Sequence, residues 1–279
     1  MTLSRAEASG QLDGAGLRAK RTLGQNFVVD PNTVRRIARL AGVGPGSHVL
    51  EIGAGLGSLT LALAESGAQV TAVEIDTALL PLLRENVGHL ANVAVVQGDA
   101  MDLDWAGLLG DVTDWSLVAN LPYNVATPLV ADVLDKVPAV RRLFVMVQNE
   151  VGERLAAGPG DDAYGAVSVK VAFHGTARVA GIVPPTVFLP RPNVDSALVA
   201  IERHAAPLDT GIDPKLLFGL VRSGFAKRRK MLRGAMAGAA TAEQMEAAGI
   251  DGTRRAEELS VHDWLRLAHI VADAREAAR

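Results

Sequence analysis

An acidic residue followed by three alternating glycines forms the first candidate ligand site. The chain reads E-I-G-A-G-L-G over residues 51–57, directly after a short apolar run and before a helix-like segment. Glycine lets the backbone turn tightly, and it lets a ligand approach the end of a strand without a Cβ in the way. The spacing G-x-G-x-G differs from the G-x-G-x-x-G of dinucleotide-binding enzymes, so it disfavours a nicotinamide oxidoreductase. Taken alone, the segment could also be an ordinary strand–helix turn.

Two more acidic residues follow the next two apolar runs. Glu74 lies 21 residues after Gly53, where a carboxylate can accept hydrogen bonds from both hydroxyls of an adenosine ribose. Asp99 follows the third run and can accept from an adenine amino group, although a solvated surface carboxylate is the alternative for Asp99 alone. Negative charge around a glycine loop suits a nucleoside that carries a sulfonium better than one that carries a pyrophosphate. The pattern therefore predicts S-adenosylmethionine as the cofactor, bound without a metal.

The fourth apolar run ends in N-L-P-Y-N at residues 120–124, a sequence that fits methyl transfer to an exocyclic amino group. The lone pair of such an amine is delocalised into the base and has to be turned toward the methyl group. The Asn120 side-chain oxygen and a backbone carbonyl beside Pro122 can accept the two amine hydrogens, and Tyr123 can stack on an extruded base. No general base is needed, because the methylated nitrogen is strongly acidic until it loses its proton. A β-turn with a core tyrosine is the alternative for this motif alone.

A second aromatic residue is predicted to contact the base. Phe188 lies in the proline-rich loop Pro184–Pro192, and aromatic residues are scarce in this chain, at 4%. The prolines would stiffen a loop that presents Phe188 to the opposite face of the base from Tyr123. Hydrophobic packing beneath the loop is the alternative role for this side chain.

Short apolar runs alternate with helix-like segments, which is typical of a parallel sheet covered by helices on both faces. The predicted parallel strands are His48–Ile52, Val70–Val73, Val93–Gln97, Leu117–Asn120 and Leu143–Gln148, with helices at 58–66, 77–87 and 128–136. Two further strands, Val179–Val183 and Ala197–Arg203, are expected as an antiparallel addition at the sheet edge. The predicted fold is α/β and Rossmann-like, with the mostly parallel seven-stranded sheet of class I S-adenosylmethionine-dependent methyltransferases.

The two ends of the chain lack strand signals. Residues 1–17 are rich in Gly, Ala and Ser without a sustained period, and a loose tail is expected there. Asp30 followed by proline is typical of a helix start, with Asp as the cap and Pro in the first turn. Beyond Pro207 we expect helices alone, one of which begins with a capping box formed by Ser260 and Asp263.

Composition excludes several classes of protein. The chain has 279 residues, of which 49% are hydrophobic and 21% charged, so a globular protein with a sizeable core is expected and disorder throughout is excluded. The longest uncharged run, Trp115–Ala131, is too short and too broken by proline to span a membrane. Residues 1–10 contain no apolar core segment, so no signal peptide is expected. The absence of cysteine excludes disulfides and thiolate metal sites, and it favours a reducing compartment, the cytoplasm.

Charge is distributed unevenly along the chain, although its net value is −3. Residues 40–135 hold twelve acidic side chains and one basic one, whereas Arg222–Arg233 holds six basic side chains and no acidic one. Such blocks suggest separate tasks for separate regions. We predict that the basic segment, on a helix, binds RNA phosphates, while the acidic block would repel a nucleic-acid backbone. A solvated helix start is the alternative for the basic segment.

Together these motifs resemble the ribosomal RNA small-subunit adenine dimethyltransferase family, the kasugamycin-resistance methyltransferases. The resemblance covers nearly everything after residue 17 and includes R-T-L-G-Q-N-F at 21–27, the glycine, Glu74, Asp99 and N-L-P-Y motifs, V-Q-N-E-V at 147–151 with Y-G at 164–165, the proline-rich loop, and F-A-K-R-R-K-M-L-R at 225–233. In that family the asparagine of the first motif lies over the cofactor, which implies the same for Asn26. Departures are small: Val28 replaces the usual Leu, Asn149 a common Lys and Met231 a common Thr.

The resemblance implies dimethylation of the 6-amino groups of two adjacent adenosines in a hairpin near the 3′ end of 16S rRNA. Such enzymes use S-adenosylmethionine, need no catalytic metal and act on a late assembly intermediate of the small (30S) subunit; a monomer is expected. The resemblance and the pattern of elements together predict a flexible tail at residues 1–17, a catalytic domain at 18–206 and a helical RNA-binding domain at 207–279.

Two rival functions remain. One is that of the related family that dimethylates 23S rRNA and confers macrolide resistance, which the proline-rich loop and the basic segment disfavour. The other is a non-catalytic RNA- or DNA-binding factor on the same fold, which the intact Glu74, Asp99 and N-L-P-Y motifs disfavour.

The predicted site residues fall into three groups. The catalytic group comprises Asn120, Leu121, Pro122, Tyr123 and Phe188. The cofactor-binding group comprises Asn26, Val28, Glu51, Gly53, Gly55, Glu74, Ile75, Asp99, Ala100 and Asn120. The RNA-binding group comprises Arg222, Lys227, Arg228, Arg229, Lys230 and Arg233, and no metal ligand is predicted.

Overall fold

The computed structural model of the protein describes residues 2–122, 125–227 and 229–277. The chain divides into two compact units, named here the sheet unit and the helical unit. The sheet unit comprises the residues up to Gly152 together with Arg178–Glu202, and the helical unit comprises Glu153–Ala177 together with the chain from Arg203 onward. This division differs from the single boundary predicted after residue 206, because residues 153–177 group with the C-terminal helices.

Nine strands form the β-structure of the described residues. They are β1 (Phe27–Val28), β2 (His48–Ile52), β3 (Gln69–Glu74), β4 (Val93–Gln97), β5 (Trp115–Asn120), β6 (Val140–Gln148), β7 (Gly175–Val183), β8 (Phe188–Leu189) and β9 (Ser196–Arg203). Seven of them form one sheet in the order β4-β3-β2-β5-β6-β9-β7, in which β2 to β6 are parallel and β9 is antiparallel to β6. Strands β1 and β8 form a separate antiparallel pair. The predicted seven-stranded, mostly parallel α/β sheet is confirmed.

The first helix of the sheet unit precedes its strands, and the next five each lie between two successive strands in sequence. The described chain contains α1 (Arg5–Gly14), α2 (Pro31–Ala41), α3 (Ser58–Glu65), α4 (Leu80–Val87), α5 (Trp105–Leu109), α6 (Ala126–Lys136), α7 (Asn149–Ala156), α8 (Ala166–His174), α9 (Pro214–Phe225), α10 (Leu232–Ala235), α11 (Ala242–Ala247) and α12 (Val261–Ala277). Asp30 caps α2 as predicted, since its side chain accepts from the Thr33 N–H at 2.9 Å. Helix α4 begins later than predicted because the Leu79 N–H bonds to the Asp76 carbonyl in a turn that precedes it.

The first residues are helical rather than loose. Ser4 and Glu7 form a capping box at the start of α1. Ala8 and Leu12 are buried in an apolar cluster of the sheet unit. The predicted loose tail is therefore wrong for this segment. Its signal is weak in the sequence because two buried side chains among Gly, Ala and Ser give a helix little amphipathic contrast.

The helical unit is built around the fully buried Trp264. Tyr164 lies in the same core, where its hydroxyl donates to the Leu259 carbonyl at 2.9 Å and burial raises the pKa of Tyr164 to about 12. The predicted capping box before α12 is present, with Ser260 Oγ 2.8 Å from Asp263 Oδ2. None of the described helices is long and apolar enough to cross a membrane.

The basic segment is helical only at its two ends, whereas a helix was predicted for it. Helix α9 ends at Phe225 and α10 begins at Leu232, and the described residues between them, 226–227 and 229–231, are called the basic loop below. Within this basic loop Lys227, Arg229 and Lys230 are exposed. Arg228 lies outside the described residues. Leu232, which follows the basic loop, is fully buried in the core of the helical unit.

Candidate active site

The loop between β2 and α3 holds three glycines in the left-handed backbone region. Their φ angles are 75° at Gly53, 59° at Gly55 and 87° at Gly57. A Cβ on Gly55 would lie 2.9 Å from the Phe27 ring, so space as well as φ excludes other residues there. A Cβ on Gly53 would meet nothing closer than Pro122 Cδ at 3.8 Å, so the loop is open toward the end of β5. The alternating spacing therefore reflects a backbone cradle, called the glycine cradle below.

Glu74, at the end of β3, bonds with its one carboxylate to the glycine cradle and to the turn that follows β3. Its Oε2 accepts from the Gly55 N–H at 2.7 Å, and its Oε1 accepts from the Asp76 N–H at 2.8 Å. The residue is 4% exposed, and burial raises its pKa, an effect that the two N–H bonds partly offset. Glu74 thus stands at the strand tip where the sequence placed it. Its contact to a ribose remains a prediction.

Three buried polar atoms beside the glycine cradle have no hydrogen-bond partner among the described residues. They are Glu51 Oε2, in a residue that is 2% exposed, Ser58 Oγ at the start of α3, and Thr60 Oγ1 in the same helix. Burial raises the pKa of Glu51 to about 8, while the nearby Thr60 hydroxyl lowers it and the charge of Glu74 raises it further. Glu51 and Ser58 line the cleft described below, so their unpartnered atoms are available to a polar ligand there. Ser58 was not predicted, and its place directly after the glycine motif is the one available signal.

These groups share a cleft with the other predicted cofactor residues. A first chamber is lined by Asn26, Val28, Glu51, Gly53, Gly55, Glu74, Ile75 and Asn120. An adjoining chamber is lined by Asp99 and Ala100, and Gly53 and Ile75 border both chambers. All the positions predicted around the cofactor therefore line one cleft at the carboxyl ends of the strands.

Asp99 and Met101 form the solvent-exposed edge of the second chamber. Asp99 Oδ1 accepts from the Met101 N–H at 2.9 Å. Met101 is 41% exposed and lines the chamber beside Ile52, Val73 and Leu129. An apolar chamber with one carboxylate at its edge suits a flat heteroaromatic ring that carries an amino group. Met101 was not predicted.

Asn120, at the end of β5, is anchored to the segment before β1. Its Nδ2 donates to the Asn26 carbonyl at 2.8 Å, which leaves Oδ1 as an acceptor. The Asn26 side chain in turn donates to the Gly24 carbonyl at 3.1 Å. The two asparagines, 94 residues apart in sequence, thus meet at the first chamber.

The turn after Asn120 continues along the same chamber. Leu121 is buried, and its N–H donates to the Met146 carbonyl at 3.0 Å. Pro122 lines both chambers. Tyr123 and Asn124 lie outside the described residues, so the predicted stacking by Tyr123 stays a prediction.

An ion pair that the sequence did not reveal fastens the segment before β1 to the end of β3. Lys20 Nζ lies 2.7 Å from Asp76 Oδ1, and Gln25 Nε2 donates to Asp76 Oδ2 at 2.9 Å. Burial would raise the pKa of Asp76, but the bonds from Lys20 and Gln25 hold it below its ordinary value. Leu23, in the fastened segment, lines both chambers. No local pattern joins residues this far apart, so sequence reasoning missed the pair.

Phe188 does not face the cleft. It pairs with Val28 in the β1–β8 ladder, is 0% exposed and packs in the apolar cluster that contains Val34 and Ile37. The prediction that Phe188 is presented to an extruded base is therefore wrong for this structure, and the alternative of packing beneath the loop is correct. The strand pairing decides this, because it turns the ring toward the core of the sheet unit.

The predicted RNA-binding residues of the helical unit are exposed. Arg222 lies in the last turn of α9 and Arg233 in α10, on either side of the basic loop. Within the part of the chain that the structure describes, Lys227, Arg229 and Lys230 form no ion pair. Their exposure fits a contact to phosphates and equally fits a solvated loop, so the RNA-binding role stays a prediction.

Comparison with known proteins agrees with the geometry of the cleft. Residues 16–273 match the family model described as Ribosomal RNA adenine dimethylase. A protein named ribosomal RNA small subunit methyltransferase A from Leifsonia xyli subsp. xyli is 48% identical over 263 residues, which cover 91% of this chain and 92% of that protein. The protein of the same name from Kineococcus radiotolerans is 47% identical over an alignment of 285 positions, gaps included, which covers 99% of this chain and 94% of that protein.

Two solved structures share the fold. A dimethyladenosine transferase from Plasmodium falciparum aligns with a TM-score of 0.73 and 22% identity, over 86% of this chain and 95% of that chain. The 23S rRNA methyltransferase ErmE aligns with a TM-score of 0.69 and 25% identity, over 88% of this chain and 99% of that chain.

Proposed function

Since this chain belongs to the ribosomal RNA adenine dimethylase family, it is an rRNA adenine dimethyltransferase, and we propose that its substrate is a hairpin near the 3′ end of 16S rRNA. There it dimethylates the 6-amino groups of two adjacent adenosines. The observation that carries the proposal is that Asn120 and Pro122 line the same chamber as the buried Glu51 and Glu74. The name shared by the relatives at 47–48% identity favours the small subunit over 23S rRNA.

The cleft fits S-adenosylmethionine, the methyl donor of this family. When bound, S-adenosylmethionine supplies a methyl group on a positively charged sulfur. The unpartnered Glu51 Oε2 and Ser58 Oγ offer hydrogen-bond partners for polar groups of the cofactor, and Glu74 offers a carboxylate to its ribose hydroxyls. Asp99, at the edge of the apolar chamber, offers an acceptor to the adenine amino group. A cationic ligand would favour the ionised form of Glu51 and Glu74, whose pKa values burial raises in the empty cleft.

Asn120 and the turn after it orient the target amine. The Asn26 carbonyl holds Asn120 Nδ2, so Oδ1 remains to accept one amine hydrogen, and the Leu121 carbonyl before Pro122 accepts the other. These two acceptors hold the amine so that its lone pair is not conjugated with the base and points toward the methyl group. After transfer the nitrogen loses its proton to solvent without a general base. We propose that Tyr123 stacks on the extruded base.

The basic loop holds the rRNA in this proposal. Phosphates bind exposed Lys and Arg side chains whatever the base sequence. The acidic block at 40–135 repels the backbone, so the sheet unit handles the extruded base while the helical unit supplies affinity. We propose a late assembly intermediate of the small subunit as the partner, bound by a monomer in the cytoplasm.

The decisive experiment incubates the protein with labelled S-adenosylmethionine and, separately, small and large subunits that lack the modification. We expect label in 16S rRNA, on two neighbouring adenosines, at an initial rate that the Asn120→Ala protein lowers roughly 100-fold or more. Label in 23S rRNA would assign the protein to the rival substrate. Tight binding of subunits without any transfer would assign it to the non-catalytic class.

A further inference from the structure

Helix α1 is tied to the loop that carries β8. One nitrogen of the Arg5 guanidinium donates to the Thr186 carbonyl at 2.7 Å and to the Phe188 carbonyl at 2.9 Å. Hydrogen bonds from a cation are stronger than those between neutral groups. Arg5 itself is exposed and lines neither chamber of the cleft.

Strand β8 in turn supports the segment that borders the cleft. It pairs with β1, and the Val29 N–H adds a bond to the Val187 carbonyl at 2.8 Å. Directly before β1, the Asn26 carbonyl holds the Asn120 amide. Two strands of two residues each are too short to be stable alone, so their position depends on what holds them from outside.

The same helix reaches the glycine cradle through a second contact. Gln11 Nε2 donates to Asn86 Oδ1 at 2.7 Å, and Asn86 Nδ2 donates back to Gln11 Oε1 at 3.0 Å. Asn86 Nδ2 also donates to the Leu56 carbonyl, inside the cradle, at 2.8 Å. Leu56 shares an apolar cluster with Leu12 of α1. One helix therefore holds two separate walls of the cleft.

We propose that α1 braces the cofactor cleft and that Arg5 and Gln11 are its positioning residues, acting through β8 and through the glycine cradle. The proposal rests on the proposed function, because the braced cleft is the S-adenosylmethionine site. Without the brace, fewer chains have the cleft formed before the cofactor arrives. Apparent affinity then falls in proportion to that fraction, while a filled cleft keeps its chemistry.

The test compares Arg5→Ala with Arg35→Ala in the full chain. Arg35 is an exposed arginine of the same unit, its Nε 2.9 Å from Glu65 Oε2, and neither residue lines the cleft. For Arg5→Ala we expect the calorimetric Kd for S-adenosylmethionine to rise roughly three- to tenfold, with kcat at saturating cofactor changed less than about twofold. Hydrogen exchange should quicken at residues 26–30 and 185–189. Arg35→Ala should change none of these.

Gln11→Ala tests the second contact in the same way. Its affinity should also fall, but its faster exchange should appear at residues 54–58. Wild-type affinity and wild-type exchange in the Arg5→Ala protein would overturn the brace, and so would a lower kcat at unchanged affinity. A wild-type protein that does not bind S-adenosylmethionine would instead refute the proposed function.

Discussion

The cofactor cleft and the basic loop use charged residues in opposite ways. In the cleft, Glu51 and Glu74 are 2% and 4% exposed, and backbone N–H groups hold one of them. In the loop, Arg229 and Lys230 are exposed. A buried carboxylate is costly to desolvate, so it favours the one ligand that satisfies it. Exposed cations bind phosphates in many arrangements. In the proposed function, the cleft therefore selects its ligand through the fixed positions of these carboxylates, and the basic loop adds affinity for RNA without selecting a sequence.

The largest effect is expected at the target amine. Asn120→Ala removes the anchored acceptor, so turnover should fall roughly 100-fold or more, the cost of losing alignment at a reacting atom. Affinity for S-adenosylmethionine should stay within a few-fold, because the carboxylates of the cleft remain. Methyl-transfer assays beside calorimetry measure both. Asn32→Ala, an exposed asparagine on α2, is the matched control. Near-normal turnover would refute the role given to Asn120.

The next effect is on the cofactor. Glu74→Ala removes the acceptor proposed for the ribose hydroxyls and also the carboxylate that holds two loops. A loss of about 1.5–3 kcal/mol is expected for charge-assisted bonds, roughly one to two decades in affinity. Calorimetry measures the affinity for S-adenosylmethionine. The control is the Glu85→Ala protein, in which an exposed glutamate of the same unit is replaced. Unchanged affinity would remove Glu74 from the cofactor site.

A smaller, salt-dependent effect is expected in the basic loop. Changing Arg229 and Lys230 to Gln should weaken binding of the small subunit and flatten the plot of log affinity against log salt. The slope should change by roughly 0.9 for each lost phosphate contact, with the DNA value as a guide. Cofactor affinity should not change. The control protein carries Lys215→Gln and Arg275→Gln, which remove the same amount of charge elsewhere in the helical unit.

An unaltered slope together with normal methylation would show that the loop is merely solvated. The RNA site would then be sought near Arg18, Lys20 and Arg21.

The smallest effect concerns stability and pH. Burial raises the pKa of Glu51 to about 8, well above that of the unfolded chain, so the folded state binds more protons between these two values. Stability of the unliganded protein should therefore fall as pH rises through that window. The glutamine in the Glu51→Gln protein cannot ionise. The Tm of this variant minus the Tm of the wild type should therefore increase by several degrees from pH 5 to pH 9. A Tm difference that does not change with pH would show that Glu51 is ionised in the empty cleft.

The contrast between the two regions also explains what the sequence could predict. Parallel strands all end at one edge of a sheet, so Glu51, Glu74, Asp99 and Asn120 could be placed together from their positions after apolar runs alone. Charge density marked the basic segment, but it carried no information on backbone shape. The chain leaves α9 after Phe225 and begins α10 at Leu232, which packs in the core of the helical unit, and such a tertiary contact cannot be read from charge density.

Contacts between residues far apart in sequence account for the remaining differences between the predicted and the observed structure. The Lys20–Asp76 pair and the Arg5 bonds join residues 56 to 183 positions apart, and no spacing rule connects them. Phe188 was misjudged because a two-residue strand pair decides which way its ring points. Helix α1 was missed because its stability comes from the surface it packs on rather than from its own pattern.

The most direct test of the account is a single-turnover measurement at saturating S-adenosylmethionine, with unmodified small subunits and the Glu74→Ala and Asn120→Ala proteins side by side. If the cleft separates cofactor binding from amine alignment, Glu74→Ala should recover to within about tenfold of the wild-type rate once the cofactor saturates, while Asn120→Ala should stay roughly 100-fold slower. Equal losses in both proteins at saturation would contradict that division of roles.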